Sequence, residues 1–321
     1  MASAVTAASM RRPPDFRTGI RPIFIIGAPR SGTSIMTWAL GRHPNIQTME
    51  ETNWLAAMAV GAGISHALGS SRGLRTHLSN SEYPLDAFLR RLGESAHDVV
   101  NDAFQERVRR FYGDSVETGE LQLGADFNPK LPLLARADDP KQRWVDGTPL
   151  NTHFGWALSR MFPEAQFIHQ LRRPADVASS LQGFDRLGVE ARPLAAGLQE
   201  WTHHVDSAAR LEQALGAGRV FRLRFDRIKD DRESVLRDLF EFLGEEYCAD
   251  CLETLDQTLN SSGVEERRQA NAETMLDMPE YLEASSLYWR LQDLLPAQPD
   301  PEADAALASR FRDYCAERSL P

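Results

Sequence analysis

The chain alternates short apolar runs with amphipathic stretches, and the strongest pattern lies in residues 22–54, PIFIIGAPRSGTSIMTWALGRHPNIQTMEETNW. Residues 23–26 are a continuous apolar run of strand length, which predicts a buried strand. A Gly-rich turn follows at 27–32. The next helix, over 34–40, carries Ile35, Met36, Trp38, Ala39 and Leu40, a wide apolar face for packing on a sheet, and Gly41 and Pro44 stop it. A second short strand at 45–49 delivers Glu50, Glu51 and Thr52. Residues 55–139 are helical and polar with scattered aromatics, a long insertion of the kind that forms a lid or acceptor pocket. Strand patterns resume at 143–146 and at 165–171 (AQFIHQL), with a helix of mixed face over 151–161 between them, and the second strand ends in Arg172, Arg173 and Pro174 before a helix restarts near Asp176. Residues 218–225 (GRVFRLRF) alternate like a strand with one wet face, and 231–243 is an amphipathic core helix closed by Gly244. Repeated strand–turn–helix units predict an α/β fold, a central parallel sheet with helices on both faces. We expect one domain over 21–321, with a helical insertion at about 55–140, and no internal repeat.

The turns at the strand ends carry the candidate chemistry. A strand feeding a glycine-rich turn into a helix start aims backbone N–H groups and the positive end of a helix dipole at one anion. Gly27 and Gly32 keep the spacing of a Walker A loop and Ser34 holds its final hydroxyl position, but Thr33 replaces the lysine and the positive charge has moved to Arg30. That displacement disfavours an ordinary Mg-ATP site. The turn at Arg172 and Arg173 leads into a helix bearing Ser179 and Ser180, a second anion site. Both sites follow strand carboxyl ends and so share one edge of the sheet, where a ligand with two separated anionic groups satisfies them together. Glu50 and Glu51 fall on the same edge; one carboxylate, its pKa raised by burial and by its neighbour, could take a proton from a hydroxyl, or both acids could be surface groups or ion-pair partners of Arg30. Residues 260–268 (NSSGVEERR) read as a polar turn ending in Arg267 and Arg268, which either covers a bound nucleotide or is a solvated charge run.

Composition narrows the partners. A hydrophobic fraction of 42% and a charged fraction of 26% are those of an ordinary soluble protein. A formal net charge of −10 argues against a nucleic-acid binder, so any polyanionic ligand must be held by local basic residues. No run approaches the roughly 18 apolar residues of a membrane span. Residues 1–20, Ala/Ser-rich and then basic and Pro-rich, lack a secretory leader and read as a flexible tail; a cytoplasmic location is the expectation. Cys248, Cys251 and Cys315 make no disulfide framework, and the Cys248/Cys251 pair, without a thioredoxin-like setting or a second pair of zinc ligands, reads as structural thiols. His43 reads as a helix-end residue, and His66, His77 and His97, without metal-ligand spacing, read as surface or pocket polar groups.

In its motifs the chain resembles the sulfotransferases that use 3′-phosphoadenosine 5′-phosphosulfate (PAPS), nearest the bacterial and tyrosylprotein-sulfotransferase-like branch. The resemblance rests on PRSGTS (29–34), HPNI with EET (43–46 and 50–52), SRMFPEAQFIHQLRRPADVASS (159–180) and FLG (242–244); the insertion and the last 70 residues match weakly. It implies a P-loop NTPase-like three-layer fold, PAPS as co-substrate with 3′-phosphoadenosine 5′-phosphate (PAP) as product, and no metal. By the same resemblance Pro29, Arg30, Ser31, Gly32, Thr33 and Ser34 bind the 5′-phosphosulfate, while Arg172 and Ser180, eight residues apart, bind the 3′-phosphate. Arg267 and Arg268 join them as candidates for holding the nucleotide. Arg30 would stabilise charge on the leaving phosphate and Glu51 would be the general base. The implied acceptor is a hydroxyl, less readily an amine, of a small molecule or glycan. One departure is Gly147, where the tyrosylprotein-type relatives carry a catalytic lysine: Arg30 acts alone, Lys130 or Lys141 reaches in, or activity is reduced. Two other readings stand beside this one, an atypical nucleoside-phosphate kinase and a nucleotide-binding module without transfer activity.

Overall fold

Four apolar residues in a row can be buried only between two layers, and Ile23–Ile26 (β1) is fully buried in the middle of the sheet. In the computed structural model, which describes residues 19–71, 75–122, 133–183, 191–256, 264–292 and 298–319, four further strands complete it. They are Ile46–Thr48 (β2), Arg143–Asp146 (β3), Gln166–Leu171 (β4) and Val220–Arg224 (β5), in the spatial order β2-β3-β1-β4-β5. Every pairing is parallel, with Ile26 beside His169 and Thr48 beside Val145. The expected α/β fold with a central parallel sheet and flanking helices is the one observed.

Helices fill both faces. They are Thr33–Leu40 (α1), Trp54–Ser70 (α2), His77–Asn80 (α3), Leu85–Tyr112 (α4), Ser115–Thr118 (α5), Gly155–Met161 (α6) and Pro174–Leu181 (α7). Leu194–Leu215 (α8), Phe225–Asp230 (α9), Arg232–Leu243 (α10), Asp250–Asp256 (α11), Val264–Leu276 (α12), Pro279–Arg290 (α13) and Pro301–Arg318 (α14) follow. The period-2 alternation of β1 divides the core. Ile23 and Ile25 pack with Met36 and Leu40 of α1, Leu236 and Phe240 of α10, and Cys251 of α11. Phe24 and Ile26 pack with Leu55 of α2, Leu89 of α4, Leu158 of α6, Leu211 of α8 and Phe311 of α14. Between β2 and β3 lie α2 to α5.

Three local expectations are corrected. The alternation in β5 does not expose one face: Arg222 pairs with buried Glu212 of α8, which also meets His169 of β4 at 2.7 Å, and Arg224 donates to Gln292. Charge complementarity has replaced water there. Arg267 and Arg268 belong to α12 rather than to a turn, and residues 257–263 lie outside the described residues. The segment predicted as one helix over 151–161 starts as a 3-10 turn, Pro149–Phe154, and becomes α-helical only at Gly155.

Candidate nucleotide and acceptor site

The phosphate loop sits between β1 and α1. Gly32 is the residue before α1 and has φ of +98°, and a Cβ there would stand 2.7 Å from the Phe225 ring, so only glycine fits the turn. No side chain caps α1, which leaves its first N–H groups directed to the strand edge. Arg30 also has positive φ, +66°, unusual for a side-chain-bearing residue. Ser31 is buried and its Oγ has no hydrogen-bond partner, Thr33 is buried, and Ser34 reaches solvent.

The second site closes against the first. Arg30 Nε donates to Ser180 Oγ at 3.0 Å, and Arg172 Nη1 donates to the Arg30 carbonyl at 2.9 Å. The Arg172 guanidinium lies over the Phe225 ring at 4.5 Å, and Trp201 Nε1 of α8 donates to the Arg172 carbonyl at 3.0 Å. Arg172 Nε stands 3.8 Å from Asp176 without a hydrogen bond. Burial lowers the pKa of both Arg30 and Arg172. An arginine nevertheless stays charged at neutral pH, so the partly desolvated guanidiniums are strong anion contacts. Arg268 reaches Asp176 at 3.4 Å, and Arg267 lies against Gly183 just past α7. The structure thus brings Pro29 to Ser34, Arg172, Ser180, Arg267 and Arg268 into one neighbourhood.

A cradle for a bisphosphorylated nucleotide should hold polar atoms unsatisfied by the protein itself. Ser31 Oγ, both polar atoms of the Gln170 side chain, Arg172 Nε and Ser179 Oγ are such atoms. These five lie in the loop or the β4–α7 unit, where a bound anion would satisfy them; the others among the described residues, on Gln47, Thr48, Asn151, Arg160 and His169, are spread over β2, the 3-10 turn, α6 and β4.

Glu51 lies across β3 from the loop, after edge strand β2. Its carboxyl reaches solvent, yet its pKa is raised, first by desolvation and then by the charge of Asp146. Glu50 instead turns outward and pairs with Arg107 at 2.8 Å. The loop carrying Glu51 is tied down on its far side: Thr52 N–H donates to Thr148 Oγ1 at 2.8 Å and Thr52 Oγ1 to Asp146 Oδ2 at 2.8 Å. Asp146, fully buried, also accepts from Thr148 N–H and Oγ1 and from Asn151 Nδ2. Thr152 in the same 3-10 turn accepts from Gly27 N–H at 2.9 Å. One short segment therefore holds the acid loop and the start of the phosphate loop together.

Asp146, Asn151, Thr152, Gln170 and Phe225 are absent from the sequence-based list. The Asp-x-Thr spacing at 146–148 was the available signal, since a carboxylate bonding the N–H two residues on marks an Asx turn. Gly147 is explained sterically: a Cβ there would collide with Thr37 Oγ1 and stand 3.4 Å from the Thr33 carbonyl. Lys141 does not replace the missing lysine. It lies before the amino end of β3, buried, with Nζ donating to the carbonyls of Gly41, His43 and Ile46. Lys130 lies outside the described residues. His43 is structural, as expected, with its ring between Glu246 O and Asn45 N. Among the described residues no three His, Cys, Asp or Glu side chains gather as metal ligands, and no helix is long and apolar enough to cross a membrane.

The five-stranded parallel sheet carries at its carboxyl edge a glycine-rich loop with Thr33 at the position of the Walker lysine and its positive charge on Arg30. Residues 22–250 match the sulfotransferase family, and the chain belongs to it. An uncharacterized protein of Aquifex aeolicus is 26% identical over 226 residues, covering 69% of this chain and 25% of its own length. A Drosophila melanogaster protein-tyrosine sulfotransferase is 21% identical over 223 residues, 69% of this chain and 37% of its own. The chain thus matches well under half the length of either relative. Among solved structures, the sulfotransferase domain of the Synechococcus PCC 7002 olefin synthase is similar, at 18% identity and a TM-score of 0.49, covering 89% of this chain and 99% of that one.

Proposed function

We propose that the chain transfers a sulfonyl group from PAPS to a hydroxyl, less readily an amine, of a small-molecule or glycan acceptor. The observation that carries this reading is the joining of the two anion sites through Arg30, whose side chain meets Ser180 and whose carbonyl is held by Arg172. The donor, when bound, supplies a sulfonyl group on a phosphate leaving group. Pro29 to Ser34 shape the loop, and Ser31, Gly32, Thr33 and Ser34 offer N–H and hydroxyl donors to its 5′ end. Arg172 and Ser180 hold the 3′-phosphate, with Arg267 and Arg268 adding positive charge from α12. Arg30 neutralises charge accumulating on the leaving phosphate. Glu51 takes the proton of the acceptor hydroxyl, and its raised pKa makes it a better base than an ordinary surface carboxylate. Asp146 positions the loop that carries Glu51.

Calorimetric titration with PAP and with Mg-ATP, followed by transfer of radiolabelled sulfate to a broad acceptor panel, tests the proposal. Tight PAP binding and transfer are expected, with Arg30→Ala lowering kcat by about 10²–10³-fold. Preference for Mg-ATP would point to a kinase, and PAP binding without transfer to any acceptor would point to an inactive binding module.

A further inference from the structure

The dithiol Cys248/Cys251 takes no part in the nucleotide site, and its geometry is not that of two unrelated core thiols. Cys248 stands just before α11 and Cys251 lies in its first turn. Cys251 N–H donates to the Cys248 carbonyl at 3.3 Å, a turn that brings the two Cα atoms into the range a disulfide spans. The two thiols are close enough that each shifts the titration of the other. Their surroundings differ: Cys248 is half-buried with access to solvent, whereas Cys251 is fully buried among Ile23, Met36 and Leu40.

We propose that Cys248 and Cys251 form a thiol–disulfide exchange site, in which Cys248 attacks a low-molecular-weight disulfide such as glutathione disulfide and Cys251 resolves the adduct. The Cys248 thiolate attacks one sulfur of the disulfide, a mixed disulfide forms, and one glutathione thiolate leaves. Cys251 then attacks Cys248 Sγ, its proton passing to the departing sulfur, and the second glutathione leaves as the thiol. Two protein thiols become one disulfide, and one glutathione disulfide becomes two glutathione thiols.

The environment suits this division of roles. The neighbouring Cys251 thiol does most to lower the Cys248 pKa, and the backbone of Asp250 and Cys251 adds to it, so the Cys248 thiol is held at about 6 despite partial burial and the nearby Asp250 charge. The neighbouring thiol and burial push Cys251 up, and the positive charge of Lys141 opposes that rise, steadying the thiolate needed at the resolving step. An accessible low-pKa thiol beside a buried high-pKa partner is the arrangement that makes a Cys-x-x-Cys pair reactive, and it is present here outside a thioredoxin-like setting. As a brace the bridge would achieve little, because it closes only residues 248–251 and leaves the unfolded chain almost as free as before.

The test equilibrates the full chain in buffers of graded reduced-to-oxidised glutathione ratio, quenches with acid, and maps the thiols by alkylation and mass spectrometry. An intrachain Cys248–Cys251 disulfide with one midpoint is expected, while Cys315 is alkylated at every ratio. The alkylation rate of Cys248 should rise with a midpoint near pH 6. In Cys251→Ser, glutathione should accumulate on Cys248; in Cys248→Ser, Cys251 should stay unmodified. Absence of the intrachain bridge at every ratio in the unaltered chain overturns the proposal, and so does a Cys248 alkylation midpoint near the ordinary thiol value of about 8.5.

Discussion

Replacing Asp146 with asparagine separates what its shape does from what its charge does. Oδ1 accepts from Thr148 N–H at 2.9 Å and from Thr148 Oγ1 at 2.5 Å, and Oδ2 accepts from Asn151 Nδ2 at 2.7 Å and Thr52 Oγ1 at 2.8 Å. An amide can keep its oxygen toward Thr148, but its NH₂ then faces Asn151 and Thr52. The Thr52 hydroxyl can turn and accept; the Asn151 N–H cannot, and a buried donor left unpaired costs about 1–3 kcal/mol. We expect Asp146→Asn to lower the free energy of unfolding by about 2 kcal/mol. The charge acts on Glu51. Desolvation comes first in raising the Glu51 pKa and Asp146 second, so removing the charge lets Glu51 ionise at lower pH. A general base works deprotonated, so the acidic limb of kcat/KM must move to lower pH. The assay is radiolabelled sulfate transfer from PAPS to an acceptor that supports turnover, followed across the acidic range. Asn151→Ala is the control, since it disturbs the same network but leaves the Asp146 charge, and its limb should stay in place. An Asp146→Asn limb that stays put or moves to higher pH refutes the coupling between the two carboxylates.

Two further expectations rest on packing and on the crowding of His153 against His204. Gly147→Ala places a methyl against Thr37 Oγ1 and the Thr33 carbonyl, and we expect destabilisation of about 1–3 kcal/mol by denaturant titration, so that restoring a lysine there would cost stability before it could assist transfer; an unchanged midpoint would show that α1 yields easily. His153 packs on His204 with ring centroids 4.2 Å apart, and desolvation, then the charges of His204 and His203, lower its pKa to about 4. The unfolded chain therefore binds the extra proton first: this contribution to stability is complete above about pH 6.5 and is lost as pH falls toward 4. His153→Gln should flatten the fall of the melting temperature over that window, and an unaltered slope would count against the assignment.

What the sequence reveals depends on whether a residue's role is local. Ile23–Ile26 announces a central strand because four adjacent apolar residues admit few other fates. The phosphate loop is legible because Gly27, Arg30, Gly32 and Ser34 act through backbone geometry over a few residues. The pairing of Arg172 with the Arg30 carbonyl could be expected only from the general rule that ligands gather at strand carboxyl ends. Roles set by distant partners were hidden. The arginines of β5 look like solvent-facing alternation because Glu212, which neutralises Arg222, lies on another helix. Lys141 is equally ambiguous in sequence: whether an ammonium caps backbone carbonyls or reaches a substrate depends on which end of β3 it occupies, a question of topology. Asp146 escaped notice because its partners at Thr52 and Asn151 meet only after β2 and β3 pair.

The left-handed backbone of Arg30 bears on how the two proposed phosphate contacts would behave together. A non-glycine residue in that conformation stores about 1–2 kcal/mol, and here the Arg172 hydrogen bond to its carbonyl helps to hold it. With Arg30 and Arg172 holding the two phosphates as proposed, their contacts are thermodynamically linked. An anion that orders Arg172 also fixes the Arg30 backbone, so occupancy of either half favours occupancy of the other, by reciprocity and to the same extent. In a double-mutant cycle the losses from Arg30→Ala and Arg172→Ala would not add, because the first removes part of what the second was holding in place.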